Sequence, residues 1–273
     1  MLLENKNAIV YGAGGAVGGA VARALARDGA AVFLAGRTLA PVRAVAAEIS
    51  AGGRPGGTGG GSPPCAGKAQ AARVDALDEQ AVTKHVADVA AAAGRIDILF
   101  NAIGMEDVQG TPLLDLAAGD FAHPVITAAR TQFLTARAVA RHMVRQGSGV
   151  IMSITAEPTP AANMGGFMAA CAAVEALWRG LACELGPHGI RLVIVRSAGS
   201  PDTPAVQQVG ELHAAAAGLS PGDYRAAEDR GTLLRRLPRV TEIADAATLL
   251  ASDRASAMTA AIANVTCGAF VDL

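Results

Sequence analysis

The hydrophobic and polar positions of this chain follow two alternating patterns. Short runs of adjacent apolar residues predict seven strands, at residues 7–11, 30–37, 71–78, 95–104, 148–155, 190–197 and 261–272. Between them, apolar residues recur at helical spacing and predict helices at 20–29, 40–50, 79–94, 133–145 and 165–185, with one more before the last strand. Because strands separated by helices pair in parallel through right-handed crossovers, we expect a doubly wound α/β fold with a seven-stranded, mostly parallel sheet.

We expect residues 1–273 to form a single domain. Two of its segments do not follow the alternation of strands and helices. Residues 52–67 are rich in Gly, Pro and Ser, a composition typical of a surface insertion. Residues 204–239 are amphipathic and follow the carboxyl end of a predicted strand. A segment in that place is expected to form a lid over a ligand crevice.

Composition and charge narrow the function classes. Hydrophobic residues make up 51% of the chain and aromatic residues 3%, which predicts a core of small aliphatic side chains. The net charge is −1 and no long basic cluster exists, so we expect a small-molecule substrate and no nucleic acid partner. No run is long and apolar enough to span a membrane, and the chain enters a strand almost at once. The four cysteines are scattered, which predicts no metal site and fits a cytoplasmic protein.

A glycine-rich loop lies between the first predicted strand and its helix. In "YGAGGAVGGA" Gly12 permits a tight turn and Gly18 permits close approach of the helix, while backbone N–H groups face a pyrophosphate. The predicted phosphate-binding residues are Gly12, Gly14, Gly15, Ala16, Val17 and Gly18. The loop resembles the TGxxxGxG loop of the short-chain dehydrogenase/reductase family, with Tyr11 in place of Thr and Ala16 in place of the middle Gly.

Further motifs extend this resemblance over nearly the whole chain outside the insertion. "FNAIG", with Asn101, resembles the NNAG motif, and "ELGPHGIRLVIVR" resembles the stretch "ELAPHGIRVN". The resemblance implies a Rossmann-type fold, adenine contacts from Asp75 and Ala76, and a contact between Thr203 of "SPDTP" and the nicotinamide carboxamide. It also implies a homodimer or homotetramer, for which the two long helices have Ala-rich faces.

The end of the second predicted strand bears on the choice of cofactor. NAD(H) sites place a carboxylate there to hold the ribose 2′-hydroxyl. Here Gly36 takes that place and Arg37 follows, which suits a 2′-phosphate. NADP(H) is therefore expected over NAD(H), although Gly15 stands where many NADP-specific relatives carry a second basic residue.

The family's proton-transfer residues have no counterparts at the aligned positions. The helix "FMAACAAVEAL" carries Phe167 in place of the Tyr and Cys171 in place of the Lys, while Ala156 and Ala128 replace the Ser and the Asn. Thr155 and the lid residue Tyr224 are the candidate hydrogen-bond donors that remain, and His213 is a third polar group of the lid. Each of these also fits a structural role, and without a neighbouring cation the thiol of Cys171 should stay protonated.

Three functions fit this pattern. The first is an atypical oxidoreductase that transfers hydride to an iminium, an activated C=C bond or a similar substrate without the Tyr–Lys relay. The second is a non-catalytic nucleotide-binding protein or partner subunit of an active relative. The third is a non-redox lyase or cyclase on the same scaffold. We favour the first, because the predicted dinucleotide crevice is retained.

Overall fold

The computed structural model describes residues 1–52, 68–156, 159 and 161–271. Seven strands form one sheet in the order β3-β2-β1-β4-β5-β6-β7. All six strand pairings are parallel, so the predicted doubly wound Rossmann-type fold is confirmed. The strands are β1 (Asn7–Tyr11), β2 (Ala31–Gly36), β3 (Ala69–Arg73), β4 (Ile98–Asn101), β5 (Gly149–Ala156), β6 (Ile190–Ser197) and β7 (Ala261–Val265).

Helices cover both faces of the sheet. They are α1 (Ala16–Arg27), α2 (Leu39–Ser50), α3 (Glu79–Ala93), α4 (Ala118–Gln146), α5 (Phe167–Leu185), α6 (Pro204–Ala216), α7 (Pro221–Gly231) and α8 (Val240–Ala251). One core packs α1, α2 and α8 on one face, and a second core packs α3, α4 and α5 on the other. The central strands are buried from both sides, which explains their near-continuous apolar sequences.

Several predicted boundaries were wrong. The third strand was expected over 71–78, but β3 ends at Arg73, because the Asp75 carboxylate accepts a hydrogen bond from the Leu77 amide and closes a turn. Asp78 then caps α3 by accepting from two backbone amides. The fourth and seventh strands are also shorter than expected, whereas the helix expected over 133–145 extends over Ala118–Gln146.

The two segments that do not follow the strand–helix alternation differ in how much of each the structure describes. Of the expected insertion at 52–67, all but Gly52 lies outside the described residues. The expected lid at 204–239 contains α6 and α7. Among the described residues, no helix has the length and apolar character needed to cross a membrane.

The site is positioned where the strand order reverses. The chain runs from β1 outward to β2 and β3, and then returns to place β4 on the other side of β1. Such a switch point opens a crevice at the carboxyl ends of the strands. Gly12 leaves β1 with a φ of 75°, and a Cβ atom there would meet the carbonyl oxygen of Ala102, which follows β4. Glycine therefore lets the two strand ends approach at the floor of the crevice.

Candidate active site

A cavity of about 460 Å³ lies over this switch point. Its lining includes the first loop, the end of β2, the segment after β3, the loop after β4, one turn of α4 and the start of α6. Ten predicted cofactor-binding residues line it: Gly12, Gly14, Gly15, Ala16, Val17, Gly18, Arg37, Asp75, Ala76 and Thr203. The structure therefore brings together ten of the eleven predicted cofactor-binding residues around one cavity, whereas Asn101 and the predicted catalytic candidates do not line it.

The amino terminus of α1 opens into this cavity. Gly15 is the N-cap residue, no side chain caps the helix, and its first turn carries no acidic residue. The first amides and the positive helix end are thus free for an anion. A Cβ atom on Gly18 would collide with the Gly12 carbonyl oxygen, so glycine allows the helix to sit directly on the turn. This cradle fits the pyrophosphate of a dinucleotide.

Two arginines meet at the end of β2. Arg37 forms an ion pair with Glu106, which lies across the cavity in the loop after β4. Arg73, at the end of β3, donates from Nε to the Arg37 carbonyl oxygen at 3.2 Å. Sequence analysis missed Arg73 because its proximity depends on the register that pairs it with Gly36. Two guanidinium groups therefore lie near the carboxyl end of β2, and β2 itself carries no carboxylate.

The remaining predicted cofactor contacts differ in their surroundings. Thr203 is buried and donates its hydroxyl to the Ser200 carbonyl at 2.8 Å. Asp75 closes the turn already described while lining the cavity. Asn101 is fully buried at the end of β4, and its amide nitrogen and oxygen find no partner among the described residues. A buried amide without partners costs stability, which is the pattern expected of a group retained for a ligand.

The four positions that the sequence aligns with the family's proton relay carry Ala128, Ala156, Phe167 and Cys171, and none of these is a side chain suited to proton transfer. Phe167 is the first residue of α5, and Ala128 is buried in α4. Cys171 is 2% exposed, and its sulfur lies 3.5 Å from the backbone nitrogen of Ala156. Burial raises the pKa of the Cys171 thiol to about 11, and the carboxylates of Glu175 and Asp107 act in the same direction. The thiol is therefore protonated near neutral pH.

Thr155 belongs to a buried polar cluster beneath this region. Its hydroxyl donates to Glu175 Oε1 at 3.0 Å, so the proton points to α5 and not to the cavity. Arg196 donates to both oxygens of Glu175 at 3.0 Å, and its guanidinium lies 5.1 Å from the centre of the Phe270 ring. Glu175 lies one helical turn after Cys171, and Arg196 pairs with Thr155 across β5 and β6. Sequence analysis missed this cluster because only the strand register reveals it.

The segment expected to form a lid carries two residues, His213 and Tyr224, of a second group of interacting polar side chains. His213 on α6 hydrogen-bonds through Nε2 to Gln109 Oε1 at 2.9 Å, and Gln109 donates from Nε2 to Asp107 Oδ2 at 2.6 Å. The ring of Tyr224 on α7 stacks on His213 at 6.3 Å between centroids. Neither Asp107 nor Gln109 was predicted. Their position after the "FNAIG" motif, which ends a central strand, was the available signal.

The sequence placed Tyr11 in the phosphate loop, but the structure places it at the end of β1, before that loop begins. It is the last residue of β1, and its side chain is 1% exposed. Its hydroxyl lies 2.9 Å from His85 Nδ1 on α3, on the opposite side of the sheet from α1. The alternation of side chains along β1 carries the ring into the core, which explains the correction.

Comparison with known proteins identifies the family. The family model described as enoyl-(acyl carrier protein) reductase, of the short-chain alcohol dehydrogenase type, matches residues 12–269. The chain belongs to the short-chain dehydrogenase/reductase family. The predicted membership is thus confirmed, and the match spans the described sheet from the glycine loop to the segment after β7.

Two relatives illustrate this membership. The short-chain reductase protein NovJ of Streptomyces niveus is 34% identical over 215 residues, which cover 75% of this chain and 72% of that protein. Gluconate 5-dehydrogenase of Gluconobacter oxydans (strain 621H) is 31% identical over 192 residues, which cover 70% of this chain and 69% of the enzyme. Both relatives are named for oxidation or reduction, so this member belongs to an oxidoreductase family.

Solved structures show the same fold. NAD⁺-bound xylitol dehydrogenase superposes with a TM-score of 0.89 at 24% identity, covering 98% of this chain and all of that one. A 7α-hydroxysteroid dehydrogenase complexed with NADH and 7-oxoglycochenodeoxycholic acid superposes with a TM-score of 0.81 at 27% identity, covering 99% and 96%. Members of the family thus bind a nicotinamide dinucleotide, and both of these structures carry the non-phosphorylated form.

Proposed function

We propose that this protein is an NADP(H)-dependent reductase whose substrate needs no proton from the enzyme in the hydride-transfer step. The observation that supports the proposal is that ten predicted cofactor-binding residues line one cavity, whereas the four positions aligned with the relay hold Ala128, Ala156, Phe167 and Cys171. An activated C=C bond or an iminium meets this requirement, since the first can take its proton from water and the second is already cationic.

The residues that would hold the cofactor follow from the cavity. The glycine loop and the amino terminus of α1 would bind the pyrophosphate, and Thr203 would meet the carboxamide. Arg37 and Arg73 would contact the 2′-phosphate, for which Arg37 would exchange its ion pair with Glu106. A bound nicotinamide supplies or accepts hydride, and the chain's own residues set its orientation and exclude water.

The missing relay limits the chemistry that can proceed at a useful rate. Reduction of an ordinary ketone produces an alkoxide that must be protonated, and a positioned acid contributes about 10² to 10⁴-fold to such a step. Here the Thr155 hydroxyl is engaged by Glu175, and Cys171 is held protonated in the core. Simple alcohol and ketone interconversion is therefore disfavoured. The description of the matching family model, reduction of an enoyl group, is consistent with an activated C=C bond as acceptor.

A panel of electrophiles tests the proposal. The purified protein, saturated with NADPH, is mixed with a cyclic iminium, an enone, a quinone and an unactivated ketone, and NADPH absorbance is followed. We expect oxidation with at least one activated acceptor and a rate at least about 100-fold lower with the ketone. The control is Gly12→Ala, which closes the floor of the crevice. Absence of NADPH oxidation across the whole panel would overturn the proposal.

A partner subunit without activity of its own is the second candidate, and the surface of α4 favours it. Ile126 and Phe133, which lie two turns apart on one face of that helix, are 63% and 39% exposed. Two exposed apolar side chains on one helix face fit an assembly with another chain of the family. The test is the panel above, run on the protein purified alone and then with an active relative. Full activity of the protein alone would exclude this candidate.

A further inference from the structure

Two adjacent carboxylates, Glu106 and Asp107, follow β4, and a third, Glu175, lies in the buried cluster described above; the three differ in how their charge is balanced. Glu106 pairs with Arg37, and Glu175 pairs with Arg196. Asp107 forms no ion pair with Lys, Arg or His in the part of the chain that the structure describes. Its side-chain partner is the uncharged amide of Gln109, at 2.6 Å. Asp107 is half-buried, so its negative charge is partly withdrawn from water without a cation beside it.

The backbone on either side of Asp107 packs against the segment that leads into α5. Val108 packs against Gly165, where a Cβ atom would collide with the Val108 carbonyl oxygen. The Gly110 amide donates to the Asn163 carbonyl at 2.8 Å. The loop after β4 is therefore seated on the segment that leads directly into Phe167. Asp107 also lies close enough to Cys171, which replaces the family's Lys, for its charge to act on the thiol.

The hydrogen-bonded chain through Gln109 orients the Asp107 carboxylate. A carboxylate only accepts hydrogen bonds, so the Gln109 amide nitrogen faces Asp107 and its oxygen faces the lid. His213 must then donate from Nε2 to that oxygen. Burial lowers the pKa of His213, which favours the neutral ring with this tautomer. The ring of Tyr224 on α7 stacks on the His213 ring on α6. Residues of both helices therefore hold the hydrogen-bonded chain that ends at Asp107.

We propose that Asp107 makes this site selective for a cationic acceptor, namely an iminium ion. The inference rests on the proposed function and narrows its substrate class. In the step, the iminium carbon accepts hydride, the C=N π electrons become the nitrogen lone pair, and the nicotinamide is oxidised. The product is a neutral amine, so the step consumes no proton. Gln109 and His213 act as positioning residues that hold the carboxylate toward the acceptor.

The charge of Asp107 should act on binding more than on the chemical step. The carboxylate attracts the iminium in the ground state, and this attraction weakens as hydride transfer removes the positive charge. An interaction of that kind lowers KM for the cation without raising kcat. A neutral enone of similar shape gains nothing from the carboxylate. The geometry thus predicts a KM effect that depends on substrate charge.

The test compares Asp107→Asn with Asp115→Asn, an exposed carboxylate in the same loop. Binding of a cyclic quaternary ammonium ion, which cannot be reduced, to the NADPH-saturated protein is measured by calorimetry, alongside an uncharged carbocycle of the same size. We expect Asp107→Asn to weaken binding of the ammonium ion about tenfold or more, with the uncharged compound and the Asp115 variant unchanged. KM for a cyclic iminium should rise by a similar factor, while KM for an enone stays within about twofold.

Other outcomes would overturn the inference in distinguishable ways. If wild-type protein oxidises NADPH with enones but neither binds the ammonium ion nor reduces the iminium, the reductase assignment survives and the role of Asp107 fails. If the ammonium ion binds through Asp107 but no acceptor is reduced, cation binding stands and the reductase assignment fails. A salt titration of the wild type gives a second measurement that needs no variant. The affinity for the ammonium ion should fall with ionic strength, and an unchanged affinity would contradict the inference.

Discussion

The sulfur of Cys171 lies 3.5 Å from the backbone nitrogen of Ala156, so the two positions that the sequence aligns with the family's Lys and Ser are in direct contact. Our proposal is that close packing takes the place of the relay here. Phe167 keeps the aromatic ring of the family's Tyr at the start of α5 and lacks only its hydroxyl. We propose that this ring keeps the shape of the substrate site while the proton donor is absent, which is the basis of the proposed function.

Restoring the relay should restore ordinary ketone reduction. The triple variant Ala156→Ser, Phe167→Tyr and Cys171→Lys returns the hydroxyl, the phenol and the cation to their aligned positions. A lysine at 171 would also gain the nearby carboxylates of Glu175 and Asp107. We expect NADPH-dependent reduction of the panel ketone to rise at least about 100-fold over wild type. The control is Cys171→Ser, and equal rates for both variants would show that the crevice does not present a substrate to these positions.

The choice between cofactors should depend on Arg37. Replacing it by Ala removes the guanidinium that would meet a 2′-phosphate, and it also releases Glu106. We expect NADPH affinity to fall about 10- to 100-fold with NADH affinity unchanged, because charge-assisted hydrogen bonds contribute about 1.5–3 kcal/mol. Isothermal titration measures both. Arg43→Ala, an exposed arginine on α2, is the control. A parallel loss of both affinities would place Arg37 outside the 2′-phosphate site.

The buried pair of Glu175 and Arg196 should matter for stability. Their side chains are 12% and 8% exposed. Arg196→Met leaves the Glu175 carboxylate in the core without that partner, a change that typically costs about 3–5 kcal/mol. Arg179→Met is a matched control, because Arg179 lies 4.0 Å from the same carboxylate but is 58% exposed. An exposed pair contributes about 1 kcal/mol or less. Denaturant unfolding should separate the variants, and equal losses would refute the assignment.

Acid should destabilise the protein through His85. Burial lowers the pKa of His85 to about 4 in the folded state, against 6.5 for the free side chain. Between pH 6.5 and 4 the unfolded chain binds one proton more at this residue than the folded chain does, so the free energy of unfolding falls as the pH decreases over this range. Below pH 4 both states carry the proton, and this group causes no further loss of stability. The loss attributable to this group approaches about 3 kcal/mol. His85→Gln should flatten this part of the pH–stability profile, whereas replacement of the exposed His188 should not.

The fold was predictable because its signals are local and repeated. Each buried strand is a short apolar run, and each is separated from the next by a helical period, which together require parallel pairing. The error at β3 arose because Val74 and Leu77 continue the apolar run although the Asp75 side chain closes a turn between them. A single side-chain hydrogen bond outweighed a hydrophobic pattern there.

The site was predictable in part. The glycine loop has a fixed position between a strand and a helix, so its role could be inferred from sequence. Asp107 and the pair of Glu175 and Arg196 could not be found in this way, because their significance depends on which charges have partners. That depends on the register of β5 with β6 and on the packing of the loop after β4 against the lid.

A calorimetric titration of the nucleotide-free protein with NADPH and with NADH tests whether the cavity is a dinucleotide site. We expect both compounds to bind at one site per chain and NADPH to bind more tightly, because the glycine loop would hold the shared pyrophosphate and Arg37 would meet the 2′-phosphate. Binding of neither nucleotide would contradict this expectation, since the glycine loop would then serve only the packing of α1 on β1.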